Sequence, residues 1–161
     1  MTDGKKDDSE SASHLVEGPI LSLDIGARRV GVAVSDPTLT VVSRLPVLQR
    51  TNWKQLLRDV EDLIRGFDAK MLVIGFPLSL EGNELSAAIT TRETARKFAL
   101  SLDIPVYLQD ERLSSVEANE KLKAEGLAED AVRSQLDGEA AAIILRDFIG
   151  GGQKRILIDI R

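Results

Sequence analysis

The chain alternates short apolar segments with amphipathic ones, and this order restricts the folds that it can adopt. Apolar runs typical of strands are predicted at residues 20–24, 30–35, 40–48, 71–74 and 105–108. Apolar residues at helical spacing predict helices at residues 53–67, 84–101, 115–124, 128–136 and 137–149. Asn52 is the predicted N-cap of the first helix, whose apolar stripe from Trp53 onward is expected to be core, and Ile89 is expected on the inner side of the second helix. Because the strands first cluster and then alternate with helices, we predict an α/β domain with a mixed sheet flanked by helices.

The same patterning sets the expected domain boundaries. Residues 1–18 are polar and lack periodicity, so we predict a disordered N-terminal tail. Residues 19–150 form the predicted domain, since a length of this order suits one hydrophobic core. Residues 151–161 are expected to be a C-terminal tail, either a strand or a loose end.

The composition excludes several kinds of site. The absence of cysteine rules out disulfides, thiolate metal sites and a cysteine nucleophile. The single histidine, His14, lies in the polar N-terminal stretch, which argues against a histidine-dependent catalytic triad. Acid–base or metal chemistry must therefore fall to carboxylates.

Charge and hydropathy indicate where the protein acts. No apolar run approaches the roughly 20 residues that a membrane span requires, and the N-terminus lacks the apolar core of a signal peptide, so we expect a cytoplasmic protein without a membrane partner. The net charge of -5 argues against broad nonspecific binding of nucleic acid. Since residues 1–18 carry -3 of that charge, a local binding site remains compatible with it.

Two carboxylates are predicted where apolar strands end. Asp24 closes the first predicted strand, and Glu111 follows the strand at 105–108. Ligand sites in α/β proteins gather at such strand ends. The alternatives are that Asp24 caps a turn before Gly26 and that Glu111 lies in a solvated loop, ion-paired with Arg112.

A third carboxylate, Asp137, precedes an alanine-rich helix that can approach the sheet closely. The alternative role for Asp137 is that of a helix N-cap. Glu139 is a rival functional group, although we expect it nearer the exposed face of the helix. Three oxygen ligands without histidine or cysteine suit Mg²⁺ or Mn²⁺, and two such ions can promote phosphodiester hydrolysis.

Arginines near these carboxylates are candidates for binding substrate. Arg28 or Arg29 could hold a phosphate, and Arg112 could do the same or orient Glu111, because guanidinium groups match phosphate oxygens. A basic face on one predicted helix could also bind RNA, and its members are Arg92, Arg96 and Lys97. The alternative for all of these residues is simple solvation at the surface.

Four sequence blocks resemble the YqgF family, also called the RuvX or pre-16S rRNA nuclease family. They are DIGARRVGVAVSD at 24–36, VIGFPL at 73–78, DERLSS at 110–115, and Leu136-Asp137 with the alanines and aliphatic residues up to 145. The resemblance covers about residues 21–148. Two positions depart from the family pattern, Gln109 and Gly138, and neither is one of the carboxylates.

This resemblance implies an RNase H-like fold and an acidic metal site formed by Asp24, Glu111 and Asp137. It also implies a nuclease that trims the 5′ end of precursor 16S rRNA and therefore meets precursors of the small ribosomal subunit. Two alternatives stay open. One is a Holliday junction resolvase, although DNA junctions are less favoured than RNA as the binding partner. The other is a noncatalytic factor that binds ribosome precursors.

Overall fold

The computed structural model describes residues 16–76, 86–110, 124, 129–151 and 155–160, with the backbone alone for 129–137. Outside the described residues lie most of the predicted N-terminal tail, all but residue 124 of the predicted helix at 115–124, and the site residues Glu111 and Arg112. The side chain of Asp137 lies outside them as well.

The described residues form a six-stranded mixed sheet and three helices. The strands are β1 (Ile20–Ile25), β2 (Arg29–Ser35), β3 (Val42–Gln49), β4 (Met71–Phe76), β5 (Val106–Asp110) and β6 (Arg155–Leu157). The helices are α1 (Trp53–Phe67), α2 (Ser86–Ser101) and α3 (Glu129–Gly150). The strand order is β3-β2-β1-β4-β5-β6. Strands β1, β4 and β5 are parallel, whereas β2, β3 and β6 pair antiparallel with their neighbours, which confirms the predicted α/β class.

Helix α1 shows how local residues set the limits of an element. The side chain of Asn52 accepts a hydrogen bond from the backbone N–H of Gln55 at 2.9 Å, which caps the first turn as predicted. At the other end Asp68 adopts a left-handed conformation with φ of 53°, which ends the helix. Asn52 and Asp68 therefore set the two ends of α1, and β4 is the next element of the chain.

One face of the sheet carries the larger core. Leu23, Ile74 and Leu108 are fully buried there, and Leu56 of α1 and Phe98 of α2 belong to the same cluster. The ring of Trp53 contacts that of Phe98 edge-on at 4.7 Å between centroids, so the apolar stripe of α1 is core, as expected.

Among the described helices, α3 is the one that covers the opposite face. Val73 and Tyr107 pack there against Ala141 and Phe148, with 5.3 Å between the two aromatic ring centroids. The buried hydroxyl of Ser22 donates a 2.6 Å hydrogen bond to the backbone carbonyl of Ala141. The small side chain of Ala141 permits this approach, so α3 is tied directly to β1.

The turn between β2 and β3 is organised by Asp36. Its carboxylate accepts a hydrogen bond from the Thr38 hydroxyl and from the backbone N–H groups of Thr40 and Val41, the latter two at 2.7 and 2.9 Å. These donors, the Thr38 hydroxyl foremost, hold the pKa of Asp36 below its ordinary value.

Two details of the sequence prediction are wrong. Helix α3 runs without interruption, whereas two helices divided before Asp137 were predicted, so Asp137 lies inside a helix and is not its N-cap. Ile89 was expected on the inner side of α2, yet it is 52% exposed. Ala88 and Thr91 occupy the inward stripe, and neighbouring positions on a helix differ by about 100°.

The described helices include none with the length and apolar character that a membrane span needs.

Candidate active site

The carboxyl ends of β1, β4 and β5 lie at one edge of the sheet because these strands are parallel. Leu23 pairs with Ile74, so the next residues, Asp24 and Gly75, lie at the same level, and Gly75 pairs with Gln109. Alternation along β1 puts Asp24 on the same face as Ser22, the face covered by α3. Asp24, Gly75 and Gln109 therefore form one row across three strands, which we call the carboxyl-edge row.

Glycines flank Asp24 on both neighbouring strands. Gly31 of β2 pairs with Asp24, and Gly75 lies at its level on β4. Neither residue has a side chain that could fill the space next to the carboxylate. Asp24 itself is partly exposed, so its carboxylate can be reached from the edge of the sheet.

The hairpin that follows Asp24 is tightly closed. The N–H of Gly26 donates to the carbonyl of Arg29 at 2.9 Å, and a Cβ on Gly26 would lie only 2.8 Å from that oxygen. Arg28 and Arg29 are exposed here. The tight hairpin is therefore compatible with the phosphate-binding role predicted for these two arginines.

Arg50 braces this hairpin from the end of β3. Its guanidinium Nη1 donates to the carbonyl of Gly26 at 3.0 Å, and its backbone N–H donates to the carbonyl of Arg28 at 2.9 Å. Sequence reasoning missed Arg50 because its contacts are made across the sheet and leave no local pattern.

A cavity of about 230 Å³ lies beside Arg50, at the start of α1. Its lining includes the cationic residues Arg50 and Lys97, and the Lys97 ammonium is 5.5 Å from the centre of the Trp53 ring. Both cations favour an anion, as does the positive end of the helix dipole. The surface next to the hairpin is therefore suited to a phosphate group.

The exposure predicted for Glu139 is wrong. Its side chain is fully buried rather than near the exposed face of the helix. One carboxylate oxygen is 3.2 Å from Nη1 of Arg44 and the other is 3.3 Å from Nη1 of Arg146. Arg44 belongs to β3, so its ion pair joins α3 to the sheet, whereas Arg146 pairs with Glu139 within α3. These pairs support a structural role for Glu139 over the role of rival metal ligand.

Gln109 is the other buried polar residue of the region. Its side chain is fully buried, and neither Oε1 nor Nε2 has a hydrogen-bond partner among the described residues. Buried amides without partners are rare in native proteins and often accompany a bound water, ion or ligand. From the sequence, only the departure from the family pattern could be recognised at this position.

The predicted site residues are described to different extents. Asp24, Arg28 and Arg29 lie together at the carboxyl edge, whereas nothing is described of Glu111, which follows the last residue of β5. Asp137 lies in α3, one helical turn before Ala141. Within the described residues there is no group of three potential metal ligands, so the acidic trio stays a prediction. An aspartate carboxylate, flanked by glycines and near an unpaired amide, fits a hydrated Mg²⁺ or Mn²⁺.

Solved structures of nucleases share this architecture. RuvC of Thermus thermophilus in complex with a Holliday junction substrate aligns with a TM-score of 0.55 and 17% identity, over 85% of this chain and 98% of that one. Fowlpox virus resolvase bound to Holliday junction DNA aligns with a TM-score of 0.51 and 12% identity, over 85% and 100% of the two chains. At these identities the likeness establishes the fold, and the RNase H-like class is confirmed.

Sequence relatives define the family. A protein of Maridesulfovibrio salexigens is 39% identical over 134 residues, 81% of this chain and 96% of its own length. A protein of Anaeromyxobacter sp. is 36% identical over 129 residues, 80% and 94% of the two chains. Both are named as pre-16S rRNA nucleases, a name that assigns the activity provisionally. The profile of the RuvX family, described as Holliday junction resolvases, matches residues 18–150. The chain therefore belongs to the RuvX family.

Proposed function

We propose that this chain is a metal-dependent nuclease that hydrolyses phosphodiester bonds during 5′-end maturation of precursor 16S rRNA. The observation that carries the proposal is the partly exposed carboxylate of Asp24 at the carboxyl edge, flanked by Gly31 and Gly75 and followed by an arginine-bearing hairpin. Membership of the RuvX family and the names of the curated relatives support the nuclease activity and the RNA substrate.

Asp24, Glu111 and Asp137 are the residues proposed to hold Mg²⁺ or Mn²⁺. Glu111 directly follows β5, whose carboxyl end lies at the same edge as Asp24. Asp137 lies one turn before Ala141, and the carbonyl of Ala141 is bound by Ser22 of β1. When bound, such ions activate a water molecule and stabilise the leaving oxygen of a phosphodiester.

The remaining residues of the proposed site bind and orient the substrate. Arg28 and Arg29, exposed beside Asp24, are proposed to hold phosphates of the strand that is cut. Arg112 is proposed to contact a phosphate or to orient Glu111. The cavity beside Arg50 and Lys97 lies on the other face of the sheet, at the start of α1, and adds a second positive surface near the hairpin that suits a further phosphate of a nucleic-acid backbone.

A DNA junction resolvase is the second candidate, favoured by the description of the family and by the solved structures that share the fold. The names of the curated relatives favour RNA instead. We propose that the protein acts in the cytoplasm on precursors of the small ribosomal subunit. The proposed catalytic domain is residues 19–150, and β6 extends its sheet beyond that limit.

The test compares the parent with Asp24→Asn on 5′-labelled precursor 16S rRNA and on a DNA four-way junction. Each substrate is incubated with Mg²⁺, with Mn²⁺ and with chelator. Loss of a metal ligand should lower the cleavage rate by more than the roughly 10–100-fold that outer residues of metal sites typically cost. Asp103→Asn is the matched control, since Asp103 is exposed and follows α2, away from the carboxyl edge.

The outcomes separate the candidates. RNA cleavage by the parent and by Asp103→Asn, with loss in Asp24→Asn and in chelator, would support the proposal. Cleavage of the junction alone would favour the resolvase, and tight RNA binding without cleavage would favour a noncatalytic factor. A folded Asp24→Asn variant that cuts RNA at the parental rate would exclude Asp24 as a metal ligand.

A further inference from the structure

The unpaired amide of Gln109 requires a partner that the described residues do not supply. Its side chain is fully buried, so bulk water cannot satisfy the oxygen and the nitrogen. A buried amide without hydrogen bonds is costly, and a methionine or leucine of similar volume would avoid that cost. A ligand that binds at this position is therefore the best explanation for the unpaired amide.

The position of Gln109 indicates where that ligand lies. In the carboxyl-edge row, Gln109 and Asp24 are separated only by Gly75. Adjacent strands are about 4.8 Å apart, which places the two Cα atoms roughly 10 Å from each other. Both side chains are on the face covered by α3, and Gly75 contributes no side chain between them. A spacing of this order is compatible with a hydrated ion between the two side chains.

We infer that Gln109 is a positioning residue whose amide hydrogen-bonds to the hydration shell of a divalent cation held beside Asp24. This inference rests on the proposed function, since it requires the metal site. Oε1 can accept from a metal-bound water, whose hydrogens point away from the ion, and Nε2 can donate to a second-shell water or to a carboxylate oxygen. Groups of this kind orient the ligands of a metal without touching it.

The test measures binding of Mn²⁺ alone to the full chain by calorimetry. Gln109→Met keeps the length of the side chain and removes both hydrogen-bonding atoms. Its affinity for Mn²⁺ should fall by about 10–100-fold, the range typical of outer residues of metal sites. In chelator its thermal midpoint should equal or exceed that of the parent, because no buried amide is left unpaired.

Two further variants keep the test specific. Tyr107→Phe removes one polar atom from the same strand and face, two residues before Gln109, and should bind Mn²⁺ like the parent. Gln109→His retains one donor and one acceptor, and should bind Mn²⁺ more tightly than Gln109→Met.

Failure of the inference is distinguishable from failure of the proposed function. If the parent binds Mn²⁺, Asp24→Asn does not, and Gln109→Met matches the parent, the inference alone is overturned. Equal weakening in the histidine and methionine variants would also overturn it, because hydrogen bonding would not be the cause. If the parent binds no Mn²⁺, both the metal site and the role of Gln109 are overturned.

Discussion

The ion pairs of Glu139 predict a strongly non-additive response to the removal of Arg44 and Arg146. The Glu139 side chain is 0% exposed, whereas those of Arg44 and Arg146 are 36% and 45% exposed. At roughly 3 Å and an effective dielectric constant of about 20, each pair has a gross attraction of roughly 5 kcal/mol. Desolvation of the buried carboxylate offsets most of this attraction.

Removal of one arginine leaves the other beside the carboxylate. Arg44→Met or Arg146→Met should therefore lower the free energy of unfolding by only about 1 kcal/mol, since each guanidinium is already partly screened by water. The double variant removes both described cations from a buried charge, a change that typically costs about 3–5 kcal/mol. The double variant should thus lose roughly 1–3 kcal/mol more than the sum of the single variants.

Urea unfolding at fixed pH and salt measures these differences, provided that the denaturant slope stays constant. Adding Glu139→Gln to the double variant should restore most of the lost stability, because it removes the buried charge itself. Arg65→Met is the control, since its partner Asp62 is exposed and the pair should contribute less than about 1 kcal/mol. Additive losses in the double variant, without recovery in the triple variant, would refute the electrostatic explanation.

Three other predictions concern β1 and the turns near it. Ser22→Ala loses the buried hydrogen bond to Ala141, and the thermal midpoint should fall in line with a loss of about 1 kcal/mol. Gly26→Ala places a Cβ 2.8 Å from the Arg29 carbonyl, so the hairpin must shift; calorimetry should show a loss of roughly 1–3 kcal/mol, with slower RNA cleavage. The pKa of Asp36 is depressed below 3.8, so its contribution to stability is complete above that pH and is lost as the pH falls through the lower folded value. The stability difference between the parent and Asp36→Asn, measured by urea unfolding from about pH 6 down to pH 2, should therefore shrink towards acid; a constant difference would contradict the assignment.

The parts of the structure that depend on neighbouring residues could be predicted from the sequence. The strand ending at Asp24, the turn at Gly26 and the N-cap Asn52 were all predicted, because each depends on a few adjacent side chains. The family resemblance added the RNase H-like class, which strand and helix patterns alone do not distinguish from other α/β folds.

The burial of charged and polar side chains could not be predicted in this way. Glu139 was expected near the solvent, since its sequence neighbours do not reveal that Arg44, on a strand far away in the chain, lies opposite. The break predicted before Asp137 failed for a related reason. An aspartate suits a helix start locally, but the packing of the following residues on the sheet holds one continuous helix. The missing partners of Gln109 are likewise visible only in three dimensions.

The contact between Ser22 and Ala141 joins residues 119 positions apart, which has a consequence for folding. The β1–β2 hairpin is local and can form early, whereas contacts of such sequence separation form late. A chain emerging from the ribosome therefore carries the Asp24 hairpin long before it carries α3. Until α3 docks, Ile20, Val73 and Tyr107 present an uncovered apolar face, and the segment bearing Asp137 is absent from the carboxyl edge. Synthesis through α3 is thus required before the proposed nuclease site can be completed.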